Sequence, residues 1–126
     1  MKEAITAKDA PGAIGPYSQA VRSGGLVFVS GQIPLDPETG QVVGGDIAAQ
    51  TERVMKNLGA ILASAGLGFD DVVRTTIYVV DLGHFAVVNE VYGRIFRAPY
   101  PARSTVQVAA LPRGVSIEID ALAVGR

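Results

Sequence analysis

The spacing of hydrophobic and polar positions changes several times along the chain, and each change marks the boundary of a predicted element. Residues 15–25 and 26–36 form two short stretches rich in β-branched and aromatic residues, and Ser23, Gly24 and Gly25 between them favour a turn. A β-hairpin is therefore predicted after a polar N-terminal segment. The sequence "PETGQVVGGD" (37–46) predicts a turn, a short edge strand and another turn.

A helical period follows. Apolar residues recur at spacings of three and four from Ile47 to Ala65, Asp46 is the predicted N-cap, and Gly66 is the predicted end of the helix. The stretch Val72–Val80 is β-branched and predicts a strand. Asp81 is then predicted to cap a second helix that ends before two prolines, Pro99 and Pro101, and the residues on its inner face are Phe85, Val88, Tyr92, Ile95 and Phe96.

Two strands complete the chain, at 103–109 and 115–124, and the sequence "LPRG" between them predicts a second hairpin. The order of elements predicts an α+β fold for a single domain covering 1–126, with a mixed six-stranded sheet and two helices packed on one face. The other face of the sheet is left uncovered. We expect self-association there.

Composition narrows the classes of function. The 126 residues include 11 basic and 12 acidic ones, for a formal net charge of −1, which disfavours sequence-independent binding of nucleic acid. Hydrophobic residues make up 48% of the chain. Because a domain of this size buries a limited share of its surface, we expect copies of the chain to cover part of the apolar surface.

Cofactor chemistry has little support in the sequence. The chain has no cysteine and a single histidine, His84, so it offers neither a disulfide nor a zinc site of the usual nitrogen and sulfur type. No phosphate-binding glycine loop is present. We expect no metal and no cofactor. The N-terminal residues lack the apolar core of a signal peptide, and no apolar run has the length of a membrane span, which favours a cytoplasmic location.

Arg103 and Glu118 are the residues most suggestive of chemistry. Side chains alternate along a strand, so a symmetric second hairpin would pair Gln107 with Glu118 and place Arg103 on the same polar face, about 13 Å away at about 3.3 Å per residue. Long side chains could then converge on a small ligand. The alternative is a solvated or ion-paired surface, which is the commoner role of such residues.

Five segments together resemble the RidA (YjgF) family: "IGPYSQAV", "FVSGQIPLDPETG", "QTERVMKNLGAILASAG", "YPARSTVQVAALP" and "VSIEIDALAV". The similarity runs from about Ala10 to the C-terminus. It implies a chorismate-mutase-like fold and a homotrimer with three clefts between neighbouring subunits. Members of the RidA branch hydrolyse reactive 2-enamine and 2-imino acids, which pyridoxal-phosphate enzymes release, to 2-oxo acids and ammonia.

The resemblance also assigns roles to residues. It makes Arg103 the group that binds the substrate carboxylate and Glu118 the group that holds and activates water. A nearby Arg103 would lower the pKa of Glu118. The resemblance further implies substrate-binding roles for Tyr17, for Ser30 and Gly31 through a backbone N–H, for Asn89, and for Thr105, which stands where many relatives have cysteine. Taken alone, Tyr17 is more often an edge-packing aromatic, and Ser30 and Gly31 are more often turn residues.

Two other functions are compatible with these residues. One is a non-enzymatic trimer that senses small 2-oxo or amino acids through the same arginine. The other, less favoured by the charge balance, is a ribonuclease or translation inhibitor.

Overall fold

A six-stranded mixed sheet forms the framework of the protein in a computed structural model that describes residues 1–125. The strands are β1 (Glu3–Ile5), β2 (Ala20–Ser23), β3 (Leu26–Gln32), β4 (Val72–Val79), β5 (Ala102–Gln107) and β6 (Ile117–Val124). Their order across the sheet is β1-β2-β3-β6-β4-β5. Only the β4–β5 pair is parallel, so the predicted mixed six-stranded sheet is confirmed.

Two helices, α1 (Ile47–Ser64) and α2 (Phe85–Ile95), cover one face of the sheet and enclose the core. The core joins the inner side of α1 to the alternate residues of β4 and β6, with Val54, Ile61, Ile77, Ile117 and Ile119 all fully buried. The opposite face carries no helix and leaves large apolar side chains exposed, among them Phe28 (44%), Val106 (41%) and Val124 (49%). The predicted α+β architecture with helices on one face is therefore confirmed.

Capping residues define the ends of α1 as predicted. Asp46 is the N-cap, and its Oδ1 accepts a hydrogen bond of 2.9 Å from the Ala49 N–H. Gly66 follows the helix with a φ of +77°, a left-handed conformation that glycine adopts without steric cost. The first hairpin is also confirmed, because Gly24 and Gly25 both have positive φ in the turn between β2 and β3.

The start of α2 differs from the prediction. Asp81 caps a 3₁₀ turn over Leu82–His84, where its side chain accepts from the Gly83 N–H at 2.8 Å, and α2 begins after that turn. The helix buries Val88, Val91 and Tyr92, while Phe85, which was predicted on the inner face, is 41% exposed and lies against the Arg103 guanidinium at its edge.

The two ends of the sheet also depart from the prediction. The polar N-terminal segment forms β1, which pairs with β2 and buries Ile5. The predicted edge strand within 37–46 is absent from the sheet. It is represented by an isolated bridge between Leu35 and Val42.

The prediction of a second hairpin is wrong, and this error matters most for the site, because the predicted positions of Arg103 and Glu118 depended on it. β5 pairs with β4 in parallel, while β6 lies between β3 and β4, so β5 and β6 are not neighbours. The cause is α2, because a strand, a helix and a second strand joined by short connections form a unit whose strands pair in parallel. The sequence "LPRG" instead contributes a 3₁₀ turn over Pro112–Gly114.

Asn57 links α1 to the loop that follows β3, and its loss is predicted to destabilise the protein. Its fully buried side chain donates to the Ile33 and Leu35 carbonyls at 3.2 and 3.0 Å. Asn57→Ala leaves both carbonyls without this donor, so the free energy of unfolding should fall by about 2 kcal/mol. Urea unfolding measures the change. Lys56→Ala, at the adjacent exposed position, is the control, and an equal effect of the two changes would contradict the prediction.

Candidate active site

Arg103 lies on the edge strand of the sheet, on the face that the helices cover. It is opposite Thr75 of β4, and paired residues share a face. Its guanidinium carbon is 5.0 Å from the ring centroid of Tyr92 and 5.5 Å from that of Phe85. Within residues 1–125 no carboxylate lies at salt-bridge distance from Arg103, so its charge has no acidic partner there.

Arg103 lines an open cavity of about 370 Å³, here named the Arg103 pocket, together with Asn89, Tyr92, Gly93, Tyr100 and Pro101. Thr105 projects to the same face of β5 as Arg103, because it is opposite Ile77. The Asn89 Oδ1 and the Thr105 Oγ1 are buried, and neither has a hydrogen-bond partner in the described part of the chain. Both predicted polar residues therefore retain hydrogen-bonding capacity that the chain itself leaves unused.

Glu118 projects from the opposite, uncovered face of the sheet. It is opposite Tyr78 of β4, three residues along the strand from the position that pairs with Arg103. Gly31 lies directly against it at a β-bulge of β3, where a Cβ would stand only 2.0 Å from the Glu118 Oε2. The absence of a side chain at Gly31 thus leaves room for the Glu118 carboxylate.

A second cavity, of about 410 Å³ and here named the Glu118 pocket, contains this carboxylate. Its lining includes Tyr17, Gln19, Gly31, Ile33, Leu35 and Glu118. The buried Gln19 amide supports one wall, because it donates to the Pro11 carbonyl at 2.8 Å and accepts from the Ala7 N–H at 2.7 Å. Tyr17 is 53% exposed and available to a ligand at the pocket surface.

Ser30 does not line the Glu118 pocket. Its hydroxyl donates to the Ser18 carbonyl at 2.6 Å, and its backbone N–H donates to the Gln19 carbonyl at 3.0 Å. Both donors are therefore engaged within the chain, and Ser30 acts here as a support for the loop that carries Tyr17.

The two pockets lie on opposite faces of the sheet. Arg103 and Glu118 are separated by two strand spacings across the sheet and three residues along it, which corresponds to about 14 Å between their backbone positions. The prediction that they share a face is wrong, because it depended on pairing β5 with β6. No small ligand can contact both side chains of one chain.

The pKa of the Glu118 carboxyl is raised. Burial is the main cause, and the negative charge of the neighbouring Asp120 raises the pKa further. Arg103 of the same chain does not contribute to this shift, because its guanidinium lies on the other face of the sheet. Tyr78 donates to the Asp120 Oδ2 at 2.9 Å, so part of the Asp120 charge is engaged by a hydrogen bond.

The aromatic residues around Arg103 were not identified from the sequence. Phe85 and Tyr92 were predicted on the inner face of the second helix with no role at the site, and Tyr100 was given no role. Phe85, Asn89 and Tyr92 recur at spacings of four and three on one face of α2. That spacing would have indicated three residues near Arg103 if β4, α2 and β5 had been recognised as one unit, in which α2 lies over Arg103.

Within residues 1–125, no group of three or more His, Asp or Glu side chains could hold a metal ion. Neither α1 nor α2 combines the length and the apolar composition that a bilayer-crossing helix requires.

Comparisons with known proteins place this arrangement in context. A sequence profile described as Endoribonuclease L-PSP matches residues 7–125. Protein DfrA of Myxococcus xanthus is 62% identical over 125 residues, which are 98% of this chain and 95% of that protein. The human 2-iminobutanoate/2-iminopropanoate deaminase is 47% identical over 124 residues, which are 98% of this chain and 90% of that protein. The crystal structure of Escherichia coli TdcF with bound serine has a TM-score of 0.93 and 46% identity, over 98% of this chain and 99% of that one.

The raised pKa of Glu118 predicts a pH-dependent difference between wild type and Glu118→Gln. A carboxyl whose pKa is higher in the folded than in the unfolded state loses its stabilising contribution as pH rises through the folded pKa. The variant should therefore have the higher free energy of unfolding at pH 7 relative to wild type, and the difference should vanish below about pH 4. Urea unfolding from about pH 3 to 8 tests this, with Glu52→Gln on α1 as the control. A difference that does not change with pH would contradict the prediction.

Proposed function

The chain belongs to the YjgF/RidA family, and from that premise we propose that it hydrolyses 2-imino acids, such as 2-iminobutanoate and 2-iminopropanoate, and their enamine tautomers. The products are 2-oxo acids and ammonia. The observation that carries the proposal is the guanidinium of Arg103, which faces an open pocket with no acidic partner within residues 1–125. The deaminase name of the human relative supports the reaction, and the serine bound to TdcF supports a small ligand with a carboxylate.

Arg103 binds the substrate carboxylate in this proposal. A guanidinium presents five N–H donors in a planar fork, which matches the two oxygens of a carboxylate. Fixing that end of the molecule orients the C=N carbon and turns a chance encounter into a positioned attack. Asn89 and Thr105 supply further polar contacts through the oxygens that the chain leaves unpaired.

The reactive cleft forms between two copies of the chain, because Arg103 and Glu118 of one copy lie on opposite faces of its sheet. The Arg103 pocket of one subunit meets the Glu118 pocket of its neighbour, and a homotrimer contains three such clefts. Exposed Phe28, Val106 and Val124 on the uncovered sheet face favour burial of that face in the assembly.

Glu118 acts as the general base. The ionised carboxylate takes a proton from a water molecule, whose oxygen attacks the carbon of the protonated C=N group and forms a tetrahedral carbinolamine. Protonated Glu118 then returns its proton to the nitrogen, ammonia leaves with the electrons of the C–N bond, and the hydroxyl oxygen forms the C=O bond as its proton passes to the Glu118 carboxylate. Because its pKa is raised, the ionised carboxylate is a stronger base than an exposed one, and general-base catalysis typically contributes about 10²- to 10⁴-fold. Gly31 leaves space for the carboxylate, and Tyr17 contributes to the wall of the cleft.

No metal or cofactor takes part in this reaction, since a protonated imine is already a good electrophile. In this proposal the protein acts in the cytoplasm.

The family description as an endoribonuclease makes RNA cleavage the second candidate function. The net charge of −1 disfavours it, because RNA binding normally relies on a basic surface. Binding to RNA that weakens steeply with added salt would support this function in place of imine hydrolysis.

A trapping competition tests the deaminase. Threonine dehydratase generates 2-iminobutanoate in the presence of semicarbazide, and the rate of semicarbazone formation reports how much imine escapes hydrolysis. Wild type should suppress trapping at substoichiometric concentration. Glu118→Gln should lose about 10²-fold or more of this activity and still bind 2-oxobutanoate, whereas Arg103→Ala should weaken this binding as well.

The outcome also separates an enzyme from a sensor. If wild type binds 2-oxobutanoate but leaves trapping unchanged, the protein is a ligand-binding module and the proposed hydrolysis is wrong.

A further inference from the structure

Two aromatic rings, and no carboxylate within residues 1–125, contact the Arg103 guanidinium. We infer that Tyr92, fixed by Thr75, is a positioning residue that holds the Arg103 fork in the orientation that receives a carboxylate, with Phe85 as a second supporting ring. The inference rests on the proposed function of Arg103 and adds residues to it that do not touch the reacting atoms.

Both rings come from one face of α2, where Phe85 and Tyr92 are seven residues apart, about two helical turns. The guanidinium carbon lies 5.5 Å from the first ring centroid and 5.0 Å from the second, which is within the range of cation–π attraction. Two such contacts from a single rigid helix restrict the tilt of the guanidinium more than one contact would.

Tyr92 is itself held in place on two sides. Its hydroxyl and the Thr75 Oγ1 are 2.7 Å apart, and Thr75 is fully buried on β4, directly opposite Arg103 in the register. The Tyr92 ring also packs on Phe96 at a centroid distance of 4.5 Å. Burial raises the pKa of the Tyr92 phenol, so the hydroxyl stays neutral at physiological pH. It therefore carries no negative charge that would compete with a substrate carboxylate for Arg103.

Aromatic support has an advantage over an acidic partner at this position. An aspartate or glutamate would occupy the same N–H donors that a substrate carboxylate needs, and the substrate would have to displace it. Ring faces attract the cation through their quadrupole and leave those N–H donors free. The arrangement thus fixes the orientation of Arg103 before the substrate binds, which lowers the entropic cost of binding.

Loss of the Tyr92 ring should weaken carboxylate binding more than it slows the chemical step. Tyr92→Leu should raise the dissociation constant for 2-oxobutanoate, and KM for the imine, by about 3- to 30-fold with a smaller change in kcat. Phe69→Leu is the matched control, because Phe69 belongs to the same aromatic cluster through Phe96 but does not contact Arg103. This control should lose stability without a change in the dissociation constant.

Phe85→Leu provides a second variant at a position that tolerates change, since Phe85 is 41% exposed. It should also weaken 2-oxobutanoate binding, by about 2- to 10-fold, and it carries the test if Tyr92→Leu does not fold. In an Arg103→Ala background, either change should alter the remaining affinity by less than about twofold, because the cation that the rings support is gone.

Calorimetric titration with 2-oxobutanoate and the trapping assay together distinguish the outcomes. If Tyr92→Leu and Phe85→Leu bind 2-oxobutanoate as tightly as Phe69→Leu does, the positioning role is wrong even if hydrolysis by wild type stands. If wild type binds 2-oxobutanoate but does not hydrolyse the imine, the proposed hydrolysis is wrong and the ring effect on binding still decides the inference. If wild type binds no carboxylate, both proposals are wrong.

Discussion

The pairing of β4 with parallel β5 on one side and antiparallel β6 on the other determines where Arg103 and Glu118 lie. Side chains alternate along a strand, so the register that places Arg103 opposite Thr75 and Glu118 opposite Tyr78 sends the two groups to opposite faces of the sheet. A shift of one residue in the β4–β6 register would move all the side chains of one of these strands to the other face. The buried residues Ile77 and Ile119 prevent such a shift, because it would expose one of them to solvent.

This division gives each side of the sheet a different chemical character. The helix-covered side surrounds a cation with aromatic rings and leaves its donors free. The uncovered side places a half-buried carboxylate against a glycine and raises its pKa, first through burial and then through Asp120. One half is suited to binding an anion and the other to accepting a proton. The proposed hydrolysis uses both groups, so in that proposal the cleft combines Arg103 of one copy with Glu118 of another.

The sequence predicted the parts of the fold that local signals control. Asp46 and Gly66 mark the two ends of α1 as predicted, because a capping carboxylate and a left-handed glycine act on the backbone within a few residues. The hairpin between β2 and β3 was predicted for the same reason. The partner of β5 was not, because the short "LPRG" segment resembles a hairpin turn and the pairing depends on the α2 crossover, which is a non-local feature. The inner face of α2 was also ambiguous, since a hydrophobic spacing does not distinguish Val88, which packs in the core, from Phe85, which is 41% exposed and lies against the Arg103 guanidinium.

The most direct test of a cleft shared by two copies is activity in mixtures of Arg103→Ala and Glu118→Gln, two variants that are each expected to be inactive alone. The two proteins are unfolded together, refolded at equal amounts and measured in the semicarbazide competition. If each cleft takes Arg103 from one copy and Glu118 from another, random assembly restores about a quarter of the clefts to the wild-type combination. Recovery near that fraction is the predicted result. A mixture as inactive as its components, with mixed assembly confirmed by mass, would contradict the shared cleft.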